Sequence, residues 1–340
     1  MGHKQKQQRK ARGNDLGIPL KEQIKPIFKE RFMEMFNQNE ETYNTFEACI
    51  LTPQRKSFRI NSQRVQDPKQ LVKDIEAKGI TLSEVPWCNN AYFTEYNKEA
   101  RSDLGNLYEH FMGRIYVQEA TSMSPPELLE IPSKIDKNFK VLDMCSSPGS
   151  KTTQIADLMK GEGILVANEL DFKRLGPLKI NLERAGYTNI VITNQDASRI
   201  KGEEVYDRIC CDAPCSGSGV IRKSPKTIKT YNPKKLHGMQ DLQISILQRG
   251  FELLKKGGII TYSTCSMDPE ENELCVQRFL DANPTAVLEQ ATLPGLILTN
   301  KLTHFYKREI SKEITEKTIR IWPQDNDTNG FYVAKIRKSE

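Results

Sequence analysis

The sequence predicts an α/β protein: a doubly wound, mostly parallel, Rossmann-like sheet with a smaller N-terminal α+β domain. Three observations carry that expectation. From about residue 115, short apolar runs of strand length alternate with segments of helical periodicity. The first of these runs leads through a glycine turn into a helix. The polar loops at 143–151, 168–169, 196, 212–219 and 263–267 all follow predicted strands, so they share the carboxyl edge where such sheets bind ligands.

In chain order, Lys140–Met144 is a buried-type strand, followed by a helix over 150–160. Ile164–Ala167 is a second strand, with a helix over 171–185. Ile190–Thr193 and Arg208–Cys211 are the third and fourth strands. A helix over 239–254 leads into a strand at Ile259–Ser263, a helix over 269–281 follows, and Phe331–Ile336 closes the sheet. Upstream, Lys21–Phe36 has helical periodicity with Ile24, Ile27, Phe28 and Met35 directed inward. Phe58–Asn61, Val85–Trp87 and Ala91–Phe93 read as strands, and Pro68–Lys78 as a helix ended by Gly79 with Leu71, Val72 and Ile75 inward. The expected division is a basic arm at 1–15, a small α+β domain at 16–110, and the large domain at 111–340.

Composition narrows the function classes. Of 340 residues, 37% are hydrophobic and 28% charged, which is ordinary for a soluble chain. No apolar run approaches membrane-spanning length and the start is polar and basic, so neither a membrane partner nor a secretory route is expected. The expected location is the cytoplasm, or also the nucleus in a eukaryote. Eight cysteines without a CxxC pair, beside four histidines, point to neither a disulfide scaffold nor a metal site. Net charge is +6, but Lys4, Lys6, Arg9, Lys10 and Arg12 stand without an acid in the first twelve residues. The other 45 basic residues nearly balance 44 acidic ones. A basic arm suits nucleic acid, though a solubilising tail explains the charge equally well. Oligomeric state is not legible, and monomer is the default.

The segment Asp143-Met-Cys-Ser-Ser-Pro-Gly-Ser-Lys151 reads as a nucleotide-type turn. Gly149 allows close backbone approach, and the helix start offers free N–H donors. Glu169 follows the next strand, 20 residues after Gly149, where a carboxylate can accept two ribose hydroxyls. Asp196, after the third strand, could face an adenine amino group. A P-loop fails on spacing and a dinucleotide fingerprint lacks its other glycines, whereas an S-adenosyl-L-methionine (SAM) pocket fits. Each residue taken alone could equally be a turn glycine or a surface acid.

Two loops hold a cysteine among small residues: Asp212-Ala-Pro-Cys215-Ser-Gly-Ser-Gly219 and Tyr262-Ser-Thr-Cys265-Ser-Met267. A lone cysteine is ordinarily buried packing, the reading applied to Cys49, Cys88, Cys210, Cys211 and Cys275. Cys215 and Cys265 differ in having polar neighbours at the ligand edge. A thiolate added to carbon 6 of cytosine makes carbon 5 nucleophilic enough to take a methyl group. Asp212 could bond the ring-nitrogen and amino edge of the base, but only a protonated Asp212 could donate to the ring nitrogen. The residues themselves leave open which cysteine attacks.

The segment Asp143–Lys151, the loop Asp212–Gly219 with Arg222-Lys223-Ser-Pro225, and Ser263–Asn272 resemble the Sun/Fmu-type RNA cytosine-5 methyltransferases. The resemblance covers roughly 105–340, and its ending includes Arg320–Pro323 and Thr328–Lys335. It implies a SAM-methyltransferase sheet, an enzyme that methylates RNA, Cys265 as nucleophile and Cys215 assisting release. DNA cytosine methyltransferases instead attack with the cysteine of the first loop. It further implies a SAM pocket built from Cys145, Ser146, Ser147, Pro148, Gly149, Ser150 and Lys151, with Glu169, Arg174, Asp196 and Asp212. Serines stand at 146 and 147 where that family more often has alanines. Both tRNA and rRNA are substrates there, and the compact layout favours tRNA. The alternatives are rRNA, a non-catalytic RNA-binding or assembly protein that keeps a SAM pocket, and a small-molecule methyltransferase.

Residues 220–236 carry Arg222, Lys223, Lys226, Lys229, Lys234 and Lys235 without an acid, directly after the Cys215 loop. Arg222, Lys223, Lys226 and Lys229 are the expected phosphate contacts beside an extruded base. Trp87, Tyr92, Phe93 and Tyr96 read as core of the small domain rather than as stacking surfaces. Asp268, Pro269 and Glu271 look like N-cap, N1 and N3 of the last helix, with Glu270 and Glu273 suited to its positive end.

Overall fold

The computed structural model describes residues 19–96 and 103–339; the basic arm at 4–12 lies outside the described residues. A small sheet comes first. Strands β1 (Lys56–Ile60), β2 (Ile80–Glu84), β3 (Ala91–Tyr96) and β4 (Ile115–Val117) lie in the order β2-β3-β1-β4. The helix Pro68–Glu76 covers it, with Asp67 capping Gln70 N at 3.0 Å and Leu71 and Ile75 buried. Residues 85–88 form a turn where a strand is predicted, and β2 lies just before them. The sheet runs past residue 110, because β4 pairs antiparallel with β1.

The large sheet holds β5 (Lys140–Asp143), β6 (Ile164–Asn168), β7 (Ile190–Thr193), β8 (Tyr206–Asp212), β9 (Leu254–Thr264) and β10 (Ala286–Glu289). A short hairpin, β11 (His304–Phe305) and β12 (Arg308–Glu309), stands apart, and β13 (Ile319–Ile321) and β14 (Phe331–Lys338) complete the large sheet. Its order is β10-β14-β9-β8-β5-β6-β7, with β13 on β14. β5 to β9 pair parallel, whereas β14 is antiparallel to β9. The predicted doubly wound sheet is therefore present. From β5 the chain steps outward through β6 and β7, then crosses to β8 and β9 on the other side. The crevice beyond β5 and β8 is the topological switch point.

The N-terminal helices differ from the sequence reading. One α-helix runs Pro26–Met35 and a second, Glu40–Ile50, was not foreseen. Phe28, Phe32 and Met35 are buried on the first, but Ile27 faces solvent. Starting the helix at Pro26 sets the phase, and the i, i+4, i+7 stripe then falls on 28, 32 and 35. Tyr43, Phe46 and Ile50 form the stripe of the second, capped by Asn39 to Thr42 N at 3.0 Å. Both helices join the core of the large domain: Phe36 and Phe46 lie 4.6 and 6.1 Å from Trp322, ring centre to ring centre. The small sheet keeps its own core around Phe58, Leu71 and Ile75. Trp87 and Phe93 are buried, as expected of core; Tyr92 stacks on Phe58 and Tyr96 lies at the rim.

Candidate functional site: two cysteine loops over a cofactor turn

The turn after β5 is held from below and from the side. Gly149 adopts φ +105° and opens the helix Ser150–Leu158; a Cβ there would press on Leu178 at 3.2 Å. Arg174 Nη2 donates to Ser147 O at 2.5 Å, Ser147 Oγ to Arg174 O at 3.0 Å, and Asn181 Nδ2 to Pro148 O at 2.7 Å. The helix Phe172–Ala185 thus clamps the turn. Asp143 ends β5 fully buried and accepts Thr152 Oγ1 at 2.7 Å, while its other oxygen has no hydrogen-bond partner among the described residues. Burial pushes its carboxyl up to about 6, against the pull of Thr152 and Lys151.

Glu169 follows β6, buried, with one oxygen on Asp171 N at 2.8 Å. Its other oxygen has no hydrogen-bond partner among the described residues and lies 3.4 Å from Arg174 Nη1. A buried acceptor without a donor suits the hydroxyl pair of a ribose. Asp196 spends one oxygen on Ser198 N and Oγ at 3.0 and 2.8 Å, bonds that hold its carboxyl below the usual range. That oxygen caps the turn Ala197–Arg199, and the other lies 3.6 Å from Arg199.

The cysteine loops meet because β8 and β9 are parallel neighbours, with Asp212 opposite Ser263. Gly219 N donates to Cys265 O and Gly330 N to Gly219 O, each at 2.9 Å. A Cβ on Gly219 would stand 2.3 Å from Gly330 O, so only glycine permits this approach. Cys215 Sγ and Cys265 Sγ lie 3.1 Å apart, both half-buried. The hydrogen bond with Cys265 pushes the Cys215 thiol well up, and burial and the charges of Glu271 and Asp212 add to it. Burial also raises the thiols of Cys88, Cys145, Cys210, Cys211 and Cys275, and that of the half-buried Cys49, which makes them poor nucleophiles.

Asp212 accepts Lys151 Nζ and Ser263 Oγ, each at 2.7 Å. Both of its oxygens thus act as acceptors here. Lys151 is the charged donor beside it. Burial works against its charge, but Asp212 more than compensates and holds the ammonium firmly protonated. Cys145–Pro148, Ser150, Lys151, Asp212, Lys223 and Cys265 line one cleft of about 300 Å³. Cys215, Gly149, Glu169, Arg174 and Asp196 stand outside that lining.

Three readings change. Arg222, expected on phosphate, is buried, with its donors on Thr52 O, Thr52 Oγ1, Pro53 O, Thr328 O and Asp327. It bolts the segment before β1 to the segment before β14. Lys223 and Lys226 are exposed and Lys229 is half-buried. The acids after Cys265 are structural, but not as caps. Asp268 and Glu270 bind Arg31 at 2.9 and 2.7 Å, Glu271 binds the Cys215 loop, and Glu273 binds Arg320. A short 3-10 turn, Pro269–Glu271, precedes the helix Glu273–Ala282. The cleft also takes in Tyr116, Gln118, Glu119, Asn329 and Phe331, which sequence reasoning did not select. Only the ending 328–335 carried a signal; Gln118 and Glu119 fall in no periodic element.

A doubly wound sheet with a clamped glycine turn after its first strand and a buried ribose-type carboxylate after its second is the architecture of a SAM-dependent methyltransferase. The residues present fit that cofactor: a close-approach glycine, a helix start without a side-chain cap, and a buried Glu169 oxygen with no hydrogen-bond donor among the described residues. Residues 132–337 match the family model described as 16S rRNA methyltransferase RsmB/F, and residues 26–120 match the N-terminal domain of 16S rRNA methyltransferase RsmF. The chain belongs to the RsmB/F methyltransferase family. It is 37% identical over 318 residues to ribosomal RNA small subunit methyltransferase F of Shewanella piezotolerans, covering 92% of this chain and 64% of that one. It spans under two thirds of the length of such rRNA relatives. It is 38% identical to a tRNA (cytosine(49)-C(5))-methyltransferase of Pyrococcus abyssi, covering 94% of this chain and 99% of that one. The crystal structure of a methyltransferase homologue from Pyrococcus horikoshii superposes with TM-score 0.78 at 33% identity, over 92% of this chain and 94% of that one. Among the described residues, no helix is long and apolar enough to cross a membrane, and no group of three or more metal-ligating side chains is gathered.

Proposed function

We propose that the chain is an RNA cytosine-C5 methyltransferase that modifies tRNA, with Cys265 as nucleophile and Cys215 assisting release. The observation that carries this is the pair of sulfurs 3.1 Å apart, of which Cys265 lines a cleft shared with the Lys151–Asp212 ion pair and the cofactor turn. The Cys265 thiolate adds to carbon 6 of the cytosine, and the Lys151 ammonium, aimed by Asp212, donates to the edge of the ring that gains charge. Asp212 is an acceptor for the exocyclic amino group. SAM, held by residues 145–151, Glu169, Arg174 and Asp196, supplies an electrophilic methyl group when bound. Loss of the carbon-5 proton to a base that enters the open cleft re-forms the carbon 5–carbon 6 double bond, and the Cys265 thiolate leaves with Cys215 assisting its release.

Lys223, Lys226 and Lys229 follow the Cys215 loop and would meet the phosphates flanking the extruded base. The near full-length match to a relative named as a tRNA methyltransferase supports tRNA, and the family description supports the rRNA alternative. Transfer of tritiated methyl groups into bulk tRNA and into 16S rRNA, each tested separately, decides between them. Cys265→Ala should abolish transfer while SAM binding survives, and Cys215→Ala should accumulate a protein–RNA adduct on a denaturing gel. Full activity in Cys265→Ala would sink the proposal; an adduct seen only in Cys265→Ala would reverse the two roles.

A further inference from the structure

The segment before β4 is turned inside out relative to an ordinary surface helix. In the short helix Tyr108–Phe111, Glu109 is buried and paired with Lys78 at 2.5 Å, while Tyr108 is 61% and Phe111 76% exposed. Met112, next in the chain, is exposed as well. Burying an acid while leaving two aromatic rings in water is unfavourable, and an apolar face of this kind marks a contact surface. Tyr108 and Phe111 are one turn apart, so their rings are neighbours. The segment packs on the helix Phe172–Ala185: Arg184 Nη1 lies 3.1 Å from His110 Nε2, and a Cβ on Gly113 would collide with the Arg184 carbonyl. Ile180, one turn before Arg184 on the same face, is 63% exposed. Two short steps join this surface to the cleft. Arg184 lies 6.0 Å from the ring centre of Tyr116, and its Nη2 donates to Asn181, which in turn holds Pro148 O. Tyr116 and Pro148 both line the cleft. Arg64, bonded to Ala185 O, and Arg114 are exposed at the same junction. Glu183, the exposed acid on that turn, lies 3.7 Å from Lys179.

We propose that Tyr108 and Phe111 form a stacking platform for an unpaired nucleotide of the RNA, next to the cytidine held in the cleft, with Arg64 and Arg114 meeting its phosphates. Exposed rings beside guanidinium groups, with the neighbouring acid withdrawn into the protein, complement a polyanion that carries flat bases. Continuity with the cleft selects RNA over a protein partner, because a strand that places a base in the cleft must leave across its rim. The inference rests on the RNA-methyltransferase reading above and adds the residues that grip the strand outside the reaction site.

The test is the affinity of the full-length protein for a short single-stranded RNA with one central cytidine, read by fluorescence anisotropy over a range of salt. Phe111→Ala should bind roughly 5- to 150-fold more weakly, the loss of one base–ring stack. Its salt slope should match wild type, because a ring neutralises no phosphate. Phe111→Leu, apolar but without a ring, should bind as weakly as Phe111→Ala. Phe111→Trp should bind like wild type, and its added indole fluorescence should be quenched by the RNA. Phe111 is exposed, so the variants should fold, and their SAM affinity without RNA should be unchanged. Wild-type affinity in Phe111→Ala or in Phe111→Leu overturns the proposal. So does a dimer of the wild-type protein that Phe111→Ala dissolves while RNA affinity stays fixed, since the occupant is then a second copy of the chain. Absence of methyl transfer by the wild-type protein, with the affinity losses intact, would overturn the enzymatic reading and leave the platform standing, so the two failures are separable.

Discussion

Arg222→Ala is expected to weaken the fold without changing how RNA binding responds to salt. The Arg222 side chain is 2% exposed and closes a junction between the segment before β1 and the segment before β14. It donates to Thr328 O at 2.9 Å and to Pro53 O at 2.8 Å, with further bonds to Thr52. Its ion pair with Asp327 contributes less, because that carboxylate is 52% exposed and screened. Truncation leaves the buried Thr328 carbonyl without a donor and opens a void where the guanidinium packed. Charge-assisted bonds to buried carbonyls and the loss of one partner together give about 3 kcal/mol. Urea unfolding of the variant should show that loss. The salt slope of tRNA binding should match wild type, whereas replacing Lys223, Lys226 and Lys229 together should cut it by up to about three with little change in stability. A loss under about 1 kcal/mol in Arg222→Ala, together with a reduced salt slope, would refute the structural assignment.

Two further outcomes follow from the packing. Asp143 is raised from 3.8 to about 6 in the folded protein, so its contribution to stability is fully present below pH 3.8 and is lost as pH rises through 6. Asp143→Asn should therefore gain stability relative to wild type between pH 4 and 7, by about 3 kcal/mol at most, in urea melts across that range; parallel curves would contradict it. Trp322 is fully buried between the two N-terminal helices and donates Nε1 to Asn300 O at 2.8 Å. Trp322→Ala should cost about 3–5 kcal/mol and expose residues 26–50 to protease before the small sheet is cut.

Much of the cofactor side was legible because its signals are local. A strand, a glycine at a strained turn and a helix start lie within one window, and Ile190–Thr193 and Glu169 fall where periodicity placed them. The misreadings share another origin. Asp268, Glu270 and Glu271 look like helix caps in a short window, yet their partners Arg31, Ser216 and Gln243 are distant in sequence. Arg222 sits in a lysine-rich stretch that reads as solvated charge, and only the arrival of residues 52–53 and 327–328 buries it. The helix Glu40–Ile50 was missed because its stripe of Tyr43, Phe46 and Ile50 is short and follows the strong pattern before it.

By itself, the sequence determined the class of sheet, the two cysteine loops and the cofactor turn. Alternation of period 2 and period 3.6 and the chemistry of turns act within a few residues. The tertiary structure alone decided that the two cysteines meet. Their 3.1 Å separation comes from the pairing of β8 with β9, and the charges around Cys215 come from Asp212 and Glu271 on separate elements. Contact between two side chains 50 residues apart is a property of which strands pair in space, and one-dimensional order does not contain it.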